Sequence, residues 1–113
     1  LITTNMFGDI LSDEIAGLVD GLGLAPSGNI GEDAAIFEAV HGSAPDITGK
    51  QLANPTALML ASAMMLDHVE EHEKATRLRE ALDAQLASGQ HLTSDLGGTA
   101  STTEFTQQII ARL

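Results

Sequence analysis

Leu11, Ile15, Leu18 and Val19 recur at helical spacing and form one apolar stripe on a wheel, with Asp9 and Asp13 together on the opposite side. That pattern predicts a helix that buries the stripe and presents two carboxylates. The run before it, LITTN at residues 1–5, is short and β-branched and predicts the end of a strand feeding the helix. After it, Gly21, Gly23, Pro26, Gly28 and Gly31 break the periodicity around residues 22–25, a short apolar piece that fits a strand or an extended loop. Residues 34–40 are the next predicted strand. They run into His41-Gly42-Ser43-Ala44-Pro45, where small residues and Pro mark a tight loop that permits close approach.

Asn54-Pro55 is a helix start, because Asn caps orphan amides and Pro fits the first helical position. The helix predicted over residues 55–69 is apolar nearly all round, as a buried central helix would be, with Met64 and Met65 as core filler. From Glu70 the chain turns polar and then amphipathic. Ala75, Leu78 and Leu82 share one side, Glu73 stands four before Arg77, and Gly89 is the stop. Ser101-Thr102-Thr103-Glu104 fits a capping box for a last helix with Phe105, Ile109 and Leu113 inside. Strand, helix, Gly-rich turn, strand, helix is the order of a layered α/β or α+β domain, and so few strands make only part of a sheet.

Length and composition narrow the chemistry. With 113 residues and 43% hydrophobic content, one domain or a piece of one is expected. There is no Tyr and no Cys, so neither a phenol nor a thiolate serves here, and the absence of cysteine is compatible with a reducing cytosol. Sixteen acidic residues against five basic give a formal charge of -11, which repels phosphate backbones and anionic membranes. Nucleic acid and membrane are therefore not expected partners. No apolar run is long enough to span a bilayer, no basic signal-peptide start is present, and without an initial Met the chain reads as beginning mid-protein.

Three patterns invite chemistry and fall short. His68-Val69-Glu70-Glu71-His72 matches H-x-x-E-H, but a metallopeptidase needs a third ligand and a buried site, and this is a polar helix junction. GLGLAPSGNIG is glycine-rich but matches neither common nucleotide fingerprint. Ser12, Ser43 and His41 form no ordered hydrolase triad. Two features carry more. Asp9 and Asp13, at i and i+4, repel each other mildly and fit either a solvated acidic face or a cation held between them. HGSAPDITGK offers small residues beside Asp46, an acid of the kind that bonds a ribose hydroxyl and repels a 2′-phosphate; an ordinary Pro-terminated loop is the alternative.

The runs NMFGDILSDEIAGLVDGLGLAPSGNIG, AIFEAVHGSAPDITGKQLANPTALMLASAMML and TSDLGGTASTTEFT closely resemble the C-terminal part of the β-decarboxylating dehydrogenases, which act on isocitrate, 3-isopropylmalate, homoisocitrate or tartrate. The resemblance implies an α/β fold with helices packed on a sheet. It makes residues 1–113 one segment of the cofactor- and metal-binding large domain, with the substrate domain upstream and absent from this chain. By the same resemblance Asp9 and Asp13 are ligands of Mg²⁺ or Mn²⁺. Glu38, His41, Gly42, Ser43, Ala44 and Pro45 resemble the cofactor loop, Asn54 an adenine contact, and Asp95 a position near the adenosine.

Asp46-Ile47 stands where NADP-dependent members carry Lys-Tyr, which implies NAD. PTALMLASAMML and DLGGTASTTEFT look more like NAD-dependent isocitrate dehydrogenases than isopropylmalate enzymes. The family's catalytic Tyr and Lys, its third metal-binding Asp and its substrate-selecting segment are not in this chain. The expectation is therefore a portion inactive alone, from an NAD-dependent decarboxylating dehydrogenase of a 2-hydroxy acid. It would be homodimeric, and cytoplasmic or mitochondrial. A non-catalytic regulatory subunit of the same fold is the alternative.

Overall fold

The computed structural model describes residues 2–18 and 24–113, and of Ala16 only the backbone. Within these, four helices and one two-stranded sheet follow in the order α1 (Asn5–Leu18), β1 (Pro26–Ile30), β2 (Ala35–Ala39), α2 (Thr56–His68), α3 (His72–Ser88) and α4 (Thr102–Ile110). Short 3-10 turns lie at Pro45–Ile47 and Ser94–Leu96. The strands form an antiparallel hairpin with Gly28 opposite Phe37. α2 packs on both strands and on α3, and α3 packs on α4, so α2 is the central layer.

The core lies between α3 and α4. Ala81, Leu82, Phe105 and Ile109 are buried there, with Met59, Leu60, Leu78, Leu86 and Leu92 packed around them. α2 contributes small residues, Ala57, Ala61 and Ala63, which let its neighbours approach closely. The capping box forms as predicted: Glu104 N–H donates to Ser101 Oγ at 3.2 Å, and Ser101 N–H donates to Glu104 Oε2 at 2.8 Å. Gly89 ends α3 in a left-handed conformation, φ 65°.

Several expectations are corrected. Residues 2–4 form no strand, because no described strand offers them a ladder; Leu1 lies outside the described residues. The hairpin's first strand is Pro26–Ile30, after the apolar piece at 22–25, of which residues 22 and 23 lie outside the description. Pro26 starts that strand, where a missing N–H is tolerated. Gly28 suits its place because a Cβ there would crowd the Phe37 ring at 3.2 Å and Met64 Cε at 3.3 Å. The stripe on α1 is not buried: Leu11, Ile15 and Leu18 are exposed, because α1 packs on no other described element, and Val19 is not described.

Elsewhere, α2 begins at Thr56, one residue later than predicted, although Asn54 Oδ1 does accept from Thr56 N–H at 3.0 Å. Met65 and Leu113 face outward rather than into the core. Glu73 and Arg77 do not pair; Arg77 donates instead to the Leu113 carbonyl, and Lys74 pairs with Glu71. His68 closes α2 and His72 opens α3, so the two histidines share no helix face. His72 meets Asp67 at 3.1 Å, which uses the ring in a helix-junction contact.

Candidate functional site

The chain from β2 to α2 forms one wall of a groove. Val40 N–H donates to the Ala25 carbonyl at 3.1 Å, fixing where the segment leaves the hairpin. Ile47 N–H donates to the Ala44 carbonyl at 3.1 Å and closes the 3-10 turn beside it. Ala44 stands at φ 39°, ψ 57°, a left-handed conformation that costs an L-residue about 1–2 kcal/mol. Farther on, Gln51 accepts from Thr102 N–H at 2.8 Å and Ala53 accepts from the Thr102 hydroxyl, tying the segment to the start of α4.

The groove encloses about 490 Å³, within the roughly 300–1,000 Å³ of small-molecule sites. His41, Gly42, Ala44 and Ile47 line it from the loop, Asn54 from the approach to α2, and Asp95 from the second 3-10 turn. Its apolar surface comes from Ala53, Pro55 and Leu58, the last 58% exposed although it sits in the first turn of the central helix. Asn54 Nδ2 donates to Asp95 Oδ2 at 2.9 Å, across 41 positions of sequence. His41 Nδ1 donates to its neighbour's carbonyl, Gly42 O, at 2.8 Å, because a carbonyl only accepts.

Other residues expected at the site stand elsewhere. Glu38 is exposed, on the opposite face of β2 from Phe37 and Ala39, and its Oε1 accepts from Asn29 Nδ2 at 3.1 Å. Ser43 lines an adjoining cavity of about 310 Å³, with Thr48 and Gln51, that shares His41, Gly42, Ala44 and Ile47 with the groove. Pro45 and Asp46 are exposed at the start of the 3-10 turn and line neither cavity. Leu58 and Thr102 line the groove without having been singled out. Leu58 hides in an apolar run and Thr102 in a capping box, so only folding marks them.

Asp9 and Asp13 lie one turn apart on α1, both exposed, and Ser12 Oγ donates to the Asp9 carbonyl at 2.8 Å. Neither carboxylate is in an ion pair among the described residues, and those residues bring no third His, Cys, Asp or Glu to them as a metal-binding group. The pair still fits a hard cation. Mg²⁺ is usually held by one or two carboxylates, the remaining positions going to substrate and water oxygens. α1 packs on no described element, so the fold of these residues does not itself bring the aspartates to the groove.

The profile of the isocitrate/isopropylmalate dehydrogenase family matches residues 1–109. The chain belongs to that family. Within the isocitrate/isopropylmalate dehydrogenases it is 58% identical over 113 residues to the isocitrate/homoisocitrate dehydrogenase of Thermus thermophilus, covering 100% of this chain and 34% of that protein. A probable NAD isocitrate dehydrogenase subunit alpha, mitochondrial, of Drosophila melanogaster is 55% identical, again over 100% of this chain and 30% of its own length. The crystal structure of isocitrate dehydrogenase from Methylococcus capsulatus superposes with a TM-score of 0.89 at 49% identity, over 96% of this chain and 32% of that one. The chain thus spans about a third of the length of the relatives it matches, and the four helices and small sheet of its described residues are part of the dehydrogenase fold. No described helix is long and apolar enough to cross a membrane.

Proposed function

We propose that the protein carrying this chain is an NAD-dependent decarboxylating dehydrogenase of a 2-hydroxy acid, with isocitrate the favoured substrate and isopropylmalate and homoisocitrate the alternatives. Residues 1–113 would be the C-terminal part of its large domain and supply cofactor and metal contacts. The observation that supports this most is the convergence of His41, Asn54 and Asp95 on one groove although they are far apart in sequence.

In that groove Pro55 and Leu58 give a flat base an apolar wall, and Asn54 gives it a hydrogen-bond donor. Gly42 and Ala44, without bulk beyond Cβ, let backbone approach the ligand closely. Asp46, exposed beside the groove, favours a free ribose 2′-hydroxyl over a 2′-phosphate by charge. NAD, when bound, supplies the hydride acceptor.

Asp9 and Asp13 would hold the Mg²⁺ or Mn²⁺, which when bound polarises the substrate's hydroxyl and carboxylate oxygens and stabilises the charge that develops as CO₂ leaves. The family resemblance implies a homodimer, and the exposed apolar residues Ile10, Leu11, Ile15 and Leu18 on the same helix would be covered by the rest of the subunit or by its partner.

The test is an assay of the intact protein with Mg²⁺ or Mn²⁺ and NAD, offering isocitrate, isopropylmalate and homoisocitrate in turn. NAD reduction with one of them, abolished by chelation, is expected. Absence of reduction with all three overturns the proposal.

A further inference from the structure

We propose that Thr56 is a positioning residue of the base subsite: its hydroxyl occupies the Asn54 carbonyl, so that Asn54 faces the groove as a hydrogen-bond donor only. This rests on the reading of the groove as a dinucleotide site. Asn54 Oδ1 accepts from Thr56 N–H at 3.0 Å and from Thr56 Oγ1 at 2.7 Å. A backbone N–H can only donate, so Oδ1 must face Thr56, which turns Nδ2 toward Asp95 Oδ2, 2.9 Å away, as its donor.

An amide oxygen has two acceptor sites and its nitrogen two hydrogens. Both acceptor sites are used by Thr56 and one hydrogen by Asp95, which leaves Asn54 a single free N–H. Thr56 is 2% exposed and does not line the groove, so it acts on a ligand only through Asn54. The base that suits this arrangement presents a ring nitrogen acceptor, as adenine does. A group that needs an acceptor from Asn54 finds none.

The experiment compares steady-state kinetics of the intact protein with Thr56→Val, Thr56→Ser, Asn54→Ala and the double variant Asn54→Ala/Thr56→Val. Thr56→Val is expected to raise KM for NAD roughly 3–10-fold, the size of one lost hydrogen bond, with kcat and the hydroxy-acid KM within about twofold. Thr56→Ser restores the parent value. In the Asn54→Ala background the valine adds nothing further.

An equal effect of the valine in both backgrounds, or an unmoved KM for NAD, overturns the role. Should the valine impair folding, Asp95→Ala serves the same cycle, because its carboxylate is exposed and holds the other side of the same carboxamide. Its rise in KM is expected to shrink in the Asn54→Ala background, what remains being the contribution of Asp95 itself to the groove, and an undiminished rise there overturns the locked carboxamide. A protein that reduces no NAD brings down the dehydrogenase reading itself; an active enzyme indifferent to these changes brings down only the positioning.

Discussion

Gly98 packs against Leu92 so closely that a Cβ on Gly98 would stand 1.9 Å from the Leu92 carbonyl oxygen and 2.4 Å from its carbon. That oxygen already accepts from Ala100 N–H at 2.9 Å, so it cannot withdraw without breaking a bond. Gly98→Ala is expected to destabilise the protein by about 1–3 kcal/mol and to displace the turn that carries Asp95. Urea unfolding reads the first effect and KM for NAD the second. An unchanged unfolding midpoint would contradict the packing.

The start of α4 makes a pH prediction. The Ser101 backbone N–H, and then its hydroxyl, hold the Glu104 carboxyl below its ordinary value of 4.5. A folded value below the unfolded one means the contribution is complete above pH 4.5 and is lost as pH falls through the folded value. Glu104→Gln should flatten that acid-side loss in unfolding curves taken across the acid range. Ser101→Ala should lower stability by about 1 kcal/mol at neutral pH.

Asp67 clasps the corner between α2 and α3, meeting His72 Nδ1 at 3.1 Å and accepting from Arg79 Nη2 at 2.6 Å. The hydrogen bond from His72, followed by that from Arg79, holds its carboxyl below the ordinary 3.8. Its stabilisation is therefore present above pH 3.8 and fades as pH drops through the lower folded value. In Asp67→Asn that part of the acid sensitivity should disappear, which thermal melts at stepped pH would register. An Asn variant as acid-sensitive as the parent would contradict the clasp.

Asp9→Asn and Asp13→Asn test the metal pair. Losing even an outer-shell partner weakens metal binding roughly 10–100-fold, so loss of a direct ligand should do at least as much. Calorimetric titration of Mn²⁺ into the intact protein, with substrate present, is the measurement. Undiminished affinity in both variants would remove these residues from the site.

Asp46→Lys replaces a charge that repels a 2′-phosphate with one that attracts it. The ratio of kcat/KM for NADP to that for NAD should rise about tenfold or more at low salt and shrink as salt is added. A ratio that stays put would mean that Asp46 is too far from the ribose to matter.

The local signals were legible because each is complete within a few residues. Ser101 and Glu104 need only each other, Gly89 needs only a free φ, and the Asn54-Pro55 pair announces α2 within one residue of its start. Pro26–Ile30 was illegible as a strand for the converse reason: its Pro and Gly argue against one until Phe37 and Met64 are seen to need the space. Glu38 and Asp46 sit next to the loop in sequence, yet alternation along β2 and exposure of the turn leave them outside the groove.

By sequence alone, the chain specifies its helix starts and stops, the acidic pair on α1 and the small-residue loop after β2, because these depend on neighbours three or four positions away. Tertiary structure decided that Asn54 meets Asp95, that Leu58 and Thr102 join them, and that the apolar stripe of α1 stays uncovered by any described element. Those outcomes depend on which surfaces meet after the chain has folded back on itself. Periodicity records that a face is apolar; only packing determines what, if anything, lies against it.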